Sequence, residues 1–191
     1  MDDNSPNFDI DDMISSYEED RILGFNSHVA DEDRPKSCRY AVNINEALKL
    51  CRSDYVTYLT DDNEYLPHRL QTMADYLDNN PDVGVVYGQQ FCYYADDSGI
   101  PFVRSPIGPL RYAASLVDHD SVMHRRSIAE EVGFWETSPT FWGHADAVFW
   151  QKMNDAGYWF FPIDEILDKH CFHQDSAQSK MQRGVMPYEI G

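Results

Sequence analysis

Apolar and polar positions divide the chain into short strand-like runs and helical stretches. Ile10, Met13, Ile14 and Tyr17 recur at helical spacing, and Arg21 to Phe25 reads as a short strand. Ile44, Ala47, Leu48 and Cys51 make the apolar face of a second helix, which feeds the run Tyr55, Val56, Thr57, Tyr58, Leu59. That run is β-branched and aromatic, too short for a helix and nearly free of charge, so it predicts a buried parallel strand. Pro67 suits the first turn of a third helix, with Leu70, Met73, Ala74 and Leu77 on its apolar face and Asn79-Asn80-Pro81 at its end. This order of elements predicts an α/β fold.

From Val83 onward the pattern becomes more antiparallel. Val83 to Tyr87 and Phe91 to Tyr94 predict strands, and Asp96-Asp97-Ser98-Gly99 predicts a hairpin turn into Ile100 to Val103. Beyond a linker at Pro101 to Pro109, a short strand is expected at Ser121 to His124 and a helix at Ser127 to Val132, ended by Gly133. A longer helix runs from Asp146 to Ala156, stopped by Gly157, and Tyr158 to Phe161 predicts a last strand. His170-Cys171-Phe172-His173 closes the ordered part, and residues 174–191 read as a polar, poorly ordered tail.

At 191 residues, with 42% hydrophobic and 14% aromatic content, the chain can bury a sizeable core as one domain, expected over residues 1–180. Its net charge of -18 argues against non-specific binding to nucleic acid or an anionic membrane. Much of the excess lies early, where residues 1–33 hold eleven acidic residues against the single cation Arg21. Cys38, Cys51, Cys92 and Cys171 form no Cys-X-X-Cys pair, so neither a zinc knuckle nor a redox motif is suggested. Reduced thiols, an acidic N-terminus and the lack of an apolar run of membrane-spanning length together predict a cytoplasmic protein with no transmembrane segment.

Candidate chemistry gathers at the end of the Tyr55 to Leu59 run. In an open α/β sheet the carboxyl ends of strands face the ligand crevice, which is where Asp61 and Asp62 would stand. Adjacent acids on a tight link suit Mg²⁺ or Mn²⁺, and they equally suit a solvated acidic loop. Arg39 can meet an anionic ligand through a bidentate contact or join a surface ion pair. Asp118 and His119 either line a cleft, on the acceptor side of a reaction, or are structural. Asp146 near a helix start is a cap or a carboxylate exposed to a substrate. His-X-X-His ending at His173 is by itself a weak metal signal.

The segments DDNS near the start, CRYAVNINEAL, YVTYLTDDNEYLPHRL, DVGVVYG, DHDSVMHRRS and GHADAVFW resemble, in letters and in order, the family-2 inverting glycosyltransferases of the GT-A fold. Within that family they are most similar to the branch that serves spore-coat polysaccharide biosynthesis. The resemblance implies a Rossmann-like GT-A domain, a UDP- or dTDP-sugar donor, a carbohydrate acceptor and a divalent cation. By position, Asp3 resembles the acid that bonds the pyrimidine base, and Arg39 a nucleotide-contacting arginine. Asp61 and Asp62 fall on the Asp-X-Asp position, the first expected on the ribose and the second on the metal. Asp146 falls on the general-base aspartate, with Ala145 where a Glu is usual, and His173 on a late metal-binding histidine. Residues 1–100 would form the donor half and 101–173 the acceptor half.

The resemblance also implies two strands ahead of the DDNS turn, where this chain starts. The expected fold therefore lacks those strands and exposes sheet edges, and this chain alone is expected to transfer sugar poorly. Three other readings fit part of the pattern. A nucleotidyltransferase would show a Gly-rich phosphate loop, and none is visible. A hydrolase would use paired carboxylates without an acceptor. A non-catalytic remnant would bind carbohydrate or nucleotide only.

Overall fold

A computed structural model describes residues 2–3, 8–17, 21–96, 98–105 and 108–184. The DDNS turn beyond Asp3, Asp97 of the hairpin and residues 185–191 of the tail lie outside the described residues. The chain divides into two compact units, residues 1–51 with 135–145, and residues 52–134 with 146–191.

The first unit is mainly helical. Helix α1 (Ile10–Ser15) starts where the Asp9 carboxylate accepts bonds from the Asp11 and Asp12 amides at 2.9 and 3.2 Å, which satisfies donors a helix start leaves free. The strand expected at Arg21 to Phe25 does not form. Leu23 is 77% exposed, and a single parallel bridge pairs Asp2 with Asn26. An apolar run becomes a strand only where a sheet edge meets it. Helix α2 (Arg39–Leu50) buries Ala41 and Leu48, and the Asn45 side chain exchanges two 2.9 Å bonds with the backbone of Trp135.

The second unit holds the sheet. Strand β1 (Tyr55–Thr57) is followed by β2 (Glu64–Tyr65), helix α3 (Arg69–Asn79), β3 (Val85–Tyr94), β4 (Phe102–Arg104) and β5 (Val122–Arg125). Helices α4 (Arg126–Val132) and α5 (Ala145–Asp155), strand β6 (Phe160–Phe172) and helix α6 (Ala177–Gln182) complete it. The order across the sheet is β1-β5-β3-β6-β2, with β4 on β3. Among the described strands of this sheet, β3 and β6 pair in parallel and the other pairings are antiparallel; β1 pairs with β5 and, among the described residues, has no second neighbour.

The buried parallel strand expected at Tyr55 to Leu59 is thus an antiparallel edge strand. Its burial alternates, with Val56 and Tyr58 inside and Leu59 52% exposed, as a half-covered strand requires. The runs expected at Val83 to Tyr87 and Phe91 to Tyr94 merge into one ten-residue strand that starts at Val85. The last strand, expected to end at Phe161, continues to Phe172, and part of the expected tail is α6.

Two apolar layers cover this sheet. On one face Met73 and Leu77 of α3 pack with Val86, Met123, Ile163 and Leu167. On the other, Phe149, Trp150 and Met153 of α5 are fully buried, and the Trp150 ring meets Phe160 edge-on at 5.4 Å. Among the described residues no helix is long and apolar enough to cross a membrane.

Candidate functional site

Where β1 ends, the chain turns through Thr60 to Asn63 and presents Asp61 and Asp62. Asp120, 1% exposed, grips this turn from below. Its carboxylate accepts the Thr60 amide at 2.9 Å and the Thr60 hydroxyl at 3.0 Å, and a third bond comes from the Asn63 amide group. The Asn63 side-chain oxygen in turn accepts the Cys171 amide of β6 at 2.9 Å. That tie brings the end of β6 beside the turn, so that His173 Nε2 stands 3.1 Å from Asp62 Oδ2. Both side chains are more than a quarter exposed. Asp61 points to solvent.

His173 Nε2 and Asp62 Oδ2 are within hydrogen-bond distance, and the same separation is one that a shared ion allows. An octahedral cation with ligands at about 2.1 Å puts adjacent ligand atoms about 3 Å apart, close to the separation observed. A second group, Asp118, Asp120 and His170, offers three ligand atoms within 4.8 Å of one another. Cations already serve that group. Asp118 meets Arg104 at 3.2 Å, and His119 lies 3.7 Å from Asp120.

His119 occupies the centre of an acidic cage. Its Nδ1 is 3.9 Å from Asp146 Oδ2 and 4.0 Å from Asp118 Oδ1, on the opposite side of the ring from Asp120. Burial disfavours the charged ring, but Asp146, Asp120 and Asp118 outweigh it and raise the pKa to about 9. The ring is therefore an imidazolium at neutral pH. Burial also works against the Asp118 anion, yet His119, His170 and Arg104 hold its carboxyl below the ordinary value. Asp146 sits in the first turn of α5, where its Oδ1 accepts the Ala147 amide at 2.8 Å and its side chain remains 26% exposed. It is at once a helix-start acceptor and a reachable carboxylate. The structure thus joins Asp146, His119 and Asp118 into one cluster.

In the first unit, Asp3 and Arg39 meet each other directly. Arg39 Nη2 donates to Asp3 Oδ1 at 2.8 Å, and Nε lies 3.1 and 3.2 Å from the two oxygens. Ser27 and Asn43 also donate to Asp3, at 2.7 and 3.2 Å. Burial opposes ionisation of Asp3, but these bonds prevail and lower its pKa. The bidentate contact foreseen for Arg39 is made here to a carboxylate of the chain itself.

Four polar residues beneath the site escaped the sequence reading: Asp120, His124, Asp168 and Arg69. Arg69, fully buried at the start of α3, donates to Thr57 Oγ1 at 2.8 Å and to the Asp120 carbonyl at 2.5 Å, and its Nε is 3.4 Å from Asp168. Its guanidinium lies 3.8 Å from the centre of the Tyr65 ring. Burial pushes the Asp168 carboxyl up to about 6 despite this neighbour. His124 is packed against Phe149 and Trp150, its Nε2 at 2.7 Å from the Tyr58 hydroxyl, and burial drives its pKa down to about 4. The one legible signal was the second acid of Asp118-His119-Asp120, since an acid adjoining a strand of a core sheet must find donors.

The sequence pattern of glycosyl transferase family 2 matches residues 1–112. The chain belongs to glycosyl transferase family 2. This family 2 chain is 38% identical over 188 residues to Protein CgeD of Bacillus subtilis (strain 168), a match covering 94% of the chain and 44% of CgeD. It is 25% identical over 193 aligned positions to the Uncharacterized glycosyltransferase MJ1057 of Methanocaldococcus jannaschii, covering 95% of the chain and 62% of that protein. The chain therefore spans less than two thirds of the length of either relative. The crystal structure of S. aureus TarS superposes on 69% of the chain and 24% of TarS, with a TM-score of 0.50 at 12% identity. The mixed sheet between helical layers is the GT-A fold. Asp118, His119, Asp146 and His173 lie beyond the residues matched by the family pattern.

Proposed function

We propose that this family 2 chain takes part in inverting transfer of a sugar from a UDP- or dTDP-sugar to a carbohydrate hydroxyl, in polysaccharide biosynthesis of the spore-coat kind. The observation that carries the reading is the pair Asp62 and His173, held 3.1 Å apart in the same unit as the Asp146 and His119 pair. In this reading Asp62 and His173 hold Mg²⁺ or Mn²⁺, which supplies Lewis-acid stabilisation to the departing nucleoside diphosphate. Asp146 accepts the proton of the acceptor hydroxyl as it attacks. His119 stands 3.9 Å from that carboxylate and with Asp118 borders the acceptor side. Asp61 serves the ribose, and Asp3 and Arg39 serve the base and nucleotide. Residues 1–100 act as the donor half and 101–173 as the acceptor half. The reading includes a cytoplasmic place, with Cys38, Cys51, Cys92 and Cys171 as reduced thiols.

The test is calorimetric titration of the chain with UDP and with dTDP, each with and without Mn²⁺. One nucleotide binds in a Mn²⁺-dependent manner, Asp62→Ala and His173→Ala each weaken that binding about tenfold or more, and Asp146→Asn leaves it unchanged. Equal affinity with and without Mn²⁺, or indifference to both substitutions, refutes the reading.

A further inference from the structure

The turn that carries the acids at the end of β1 is held by a residue almost wholly withdrawn from solvent. Asp120 is 1% exposed, and a carboxylate is costly to place there. Both of its oxygens are spent on the turn: Oδ1 on the Thr60 amide, Oδ2 on the Thr60 hydroxyl and on Asn63. Thr60 and Asn63 are the residues immediately outside Asp61 and Asp62, so the grip closes on both sides of the acid pair. Asn63 carries it further, to the Cys171 amide two residues before His173. The backbone of Asp120 is fixed as well, by Arg69 on its carbonyl at 2.5 Å and the Asp118 carboxylate on its amide at 3.1 Å.

We infer that Asp120 is a positioning residue for the cation site, setting the separation of Asp62 and His173 through Thr60 and Asn63 without itself ligating the ion. The inference rests on the reading of Asp62 and His173 as metal ligands. Its chemistry is specific to a carboxylate. Every group facing Asp120 from the turn is a donor: the Thr60 amide, the Thr60 hydroxyl, whose own oxygen accepts from Asn63 at 2.6 Å, and the Asn63 amide group. An Asn at position 120 would turn an NH₂ group toward those donors, and its one oxygen could not serve both ends of the turn. Outer partners of metal ligands act on affinity in this way, and losing one costs about ten- to a hundredfold.

The experiment measures Mn²⁺ affinity of the full chain in the presence of whichever of UDP and dTDP binds, for the wild type, Asp62→Ala, Asp120→Asn, Thr60→Val and Asp118→Asn. Thr60→Val keeps the shape of the side chain and removes only the hydroxyl, so it reports even if Asp120→Asn folds poorly. Hydrogen exchange of the Thr60 amide, with Val86 as a control in the core, reads the grip directly. Expected results are a loss of about tenfold or more in Mn²⁺ affinity for Asp120→Asn, a smaller loss for Thr60→Val, and for Asp118→Asn a loss no larger than that of Thr60→Val. Faster exchange at Thr60 with an unchanged Val86 should accompany the first. If Asp62→Ala weakens Mn²⁺ binding while Asp120→Asn and Thr60→Val do not, Asp120 has no such role although the metal site stands. If Asp118→Asn is as damaging as Asp120→Asn and Thr60→Val is silent, Asp120 is a ligand in the Asp118 and His170 group, and the inference fails. A wild type whose nucleotide binding ignores Mn²⁺ overturns the metal reading and this inference with it.

Discussion

Replacing Arg69 with Met tests how the polar base under the site is held together. Arg69 and Asp168 are both fully buried, and the Gln90 side chain also favours the Asp168 anion. The substitution removes the cation Asp168 faces and the 2.5 Å donor to the Asp120 carbonyl. Removing one member of a buried ion pair costs about 3 to 5 kcal/mol, because the remaining charge is left uncompensated. The orphaned carbonyl adds to this, but the two losses share one guanidinium, so about 4 kcal/mol is the working figure. At roughly 2 to 4 °C per kcal/mol for a chain of this size, the melting temperature falls by about 10 °C. Urea unfolding followed by tryptophan fluorescence suits the measurement, since Trp150 is fully buried in the same unit.

Two controls make the reasoning refutable. The double variant Arg69→Met with Asp168→Leu should recover about 2 kcal/mol or more, since it removes the stranded acid. Protonation supplies the second control. Asp168 already titrates at about 6, above its unfolded value, so it weakens the fold increasingly as pH rises from the unfolded value to that point. Without Arg69 its folded pKa rises further. The gap between wild type and Arg69→Met should then widen as pH rises above about 6. A loss under about 1 kcal/mol, or a double variant no more stable than the single one, would show that Arg69 does not compensate Asp168.

Two further outcomes are expected. The chain should be most stable just above pH 6.5. His119, raised to about 9, contributes fully below the unfolded value of 6.5 and loses that contribution as pH climbs through about 9. His124, lowered to about 4, contributes above 6.5 and loses it as pH falls through about 4. Each is capped at roughly 3 kcal/mol, and urea midpoints across pH 4 to 9 that rise steadily in one direction would contradict this. In the sheet, Gly88 lies at the register shift between β3 and β6, where an added Cβ would stand 2.8 Å from Leu167 Cδ1 and 3.0 Å from Leu167 Cβ. Gly88→Ala should cost about 1 to 3 kcal/mol by overpacking, and a neutral result in thermal unfolding would show that Leu167 yields freely.

What the sequence by itself determined is local and covalent in reach. Residue type and spacing decided the helices at Arg39–Leu50, Arg69–Asn79 and Ala145–Asp155, and the acids Asp61 and Asp62 at the end of a β-rich run, because periodicity and turn chemistry act over a few residues. The order of six short motifs was enough to point to the family. Pairing and burial were decided only in three dimensions. Nothing within Tyr55 to Leu59 states that its neighbour is Val122–Arg125, some 65 residues on and antiparallel. Arg69, Asp120 and Asp168 look like surface charges in a chain so acidic, and they became the buried support of the site because the sheet stacked them where no water could replace one another's bonds. Asp62 met His173 for the same reason: Asn63 bonded to β6, and a contact across 111 residues followed from one amide oxygen.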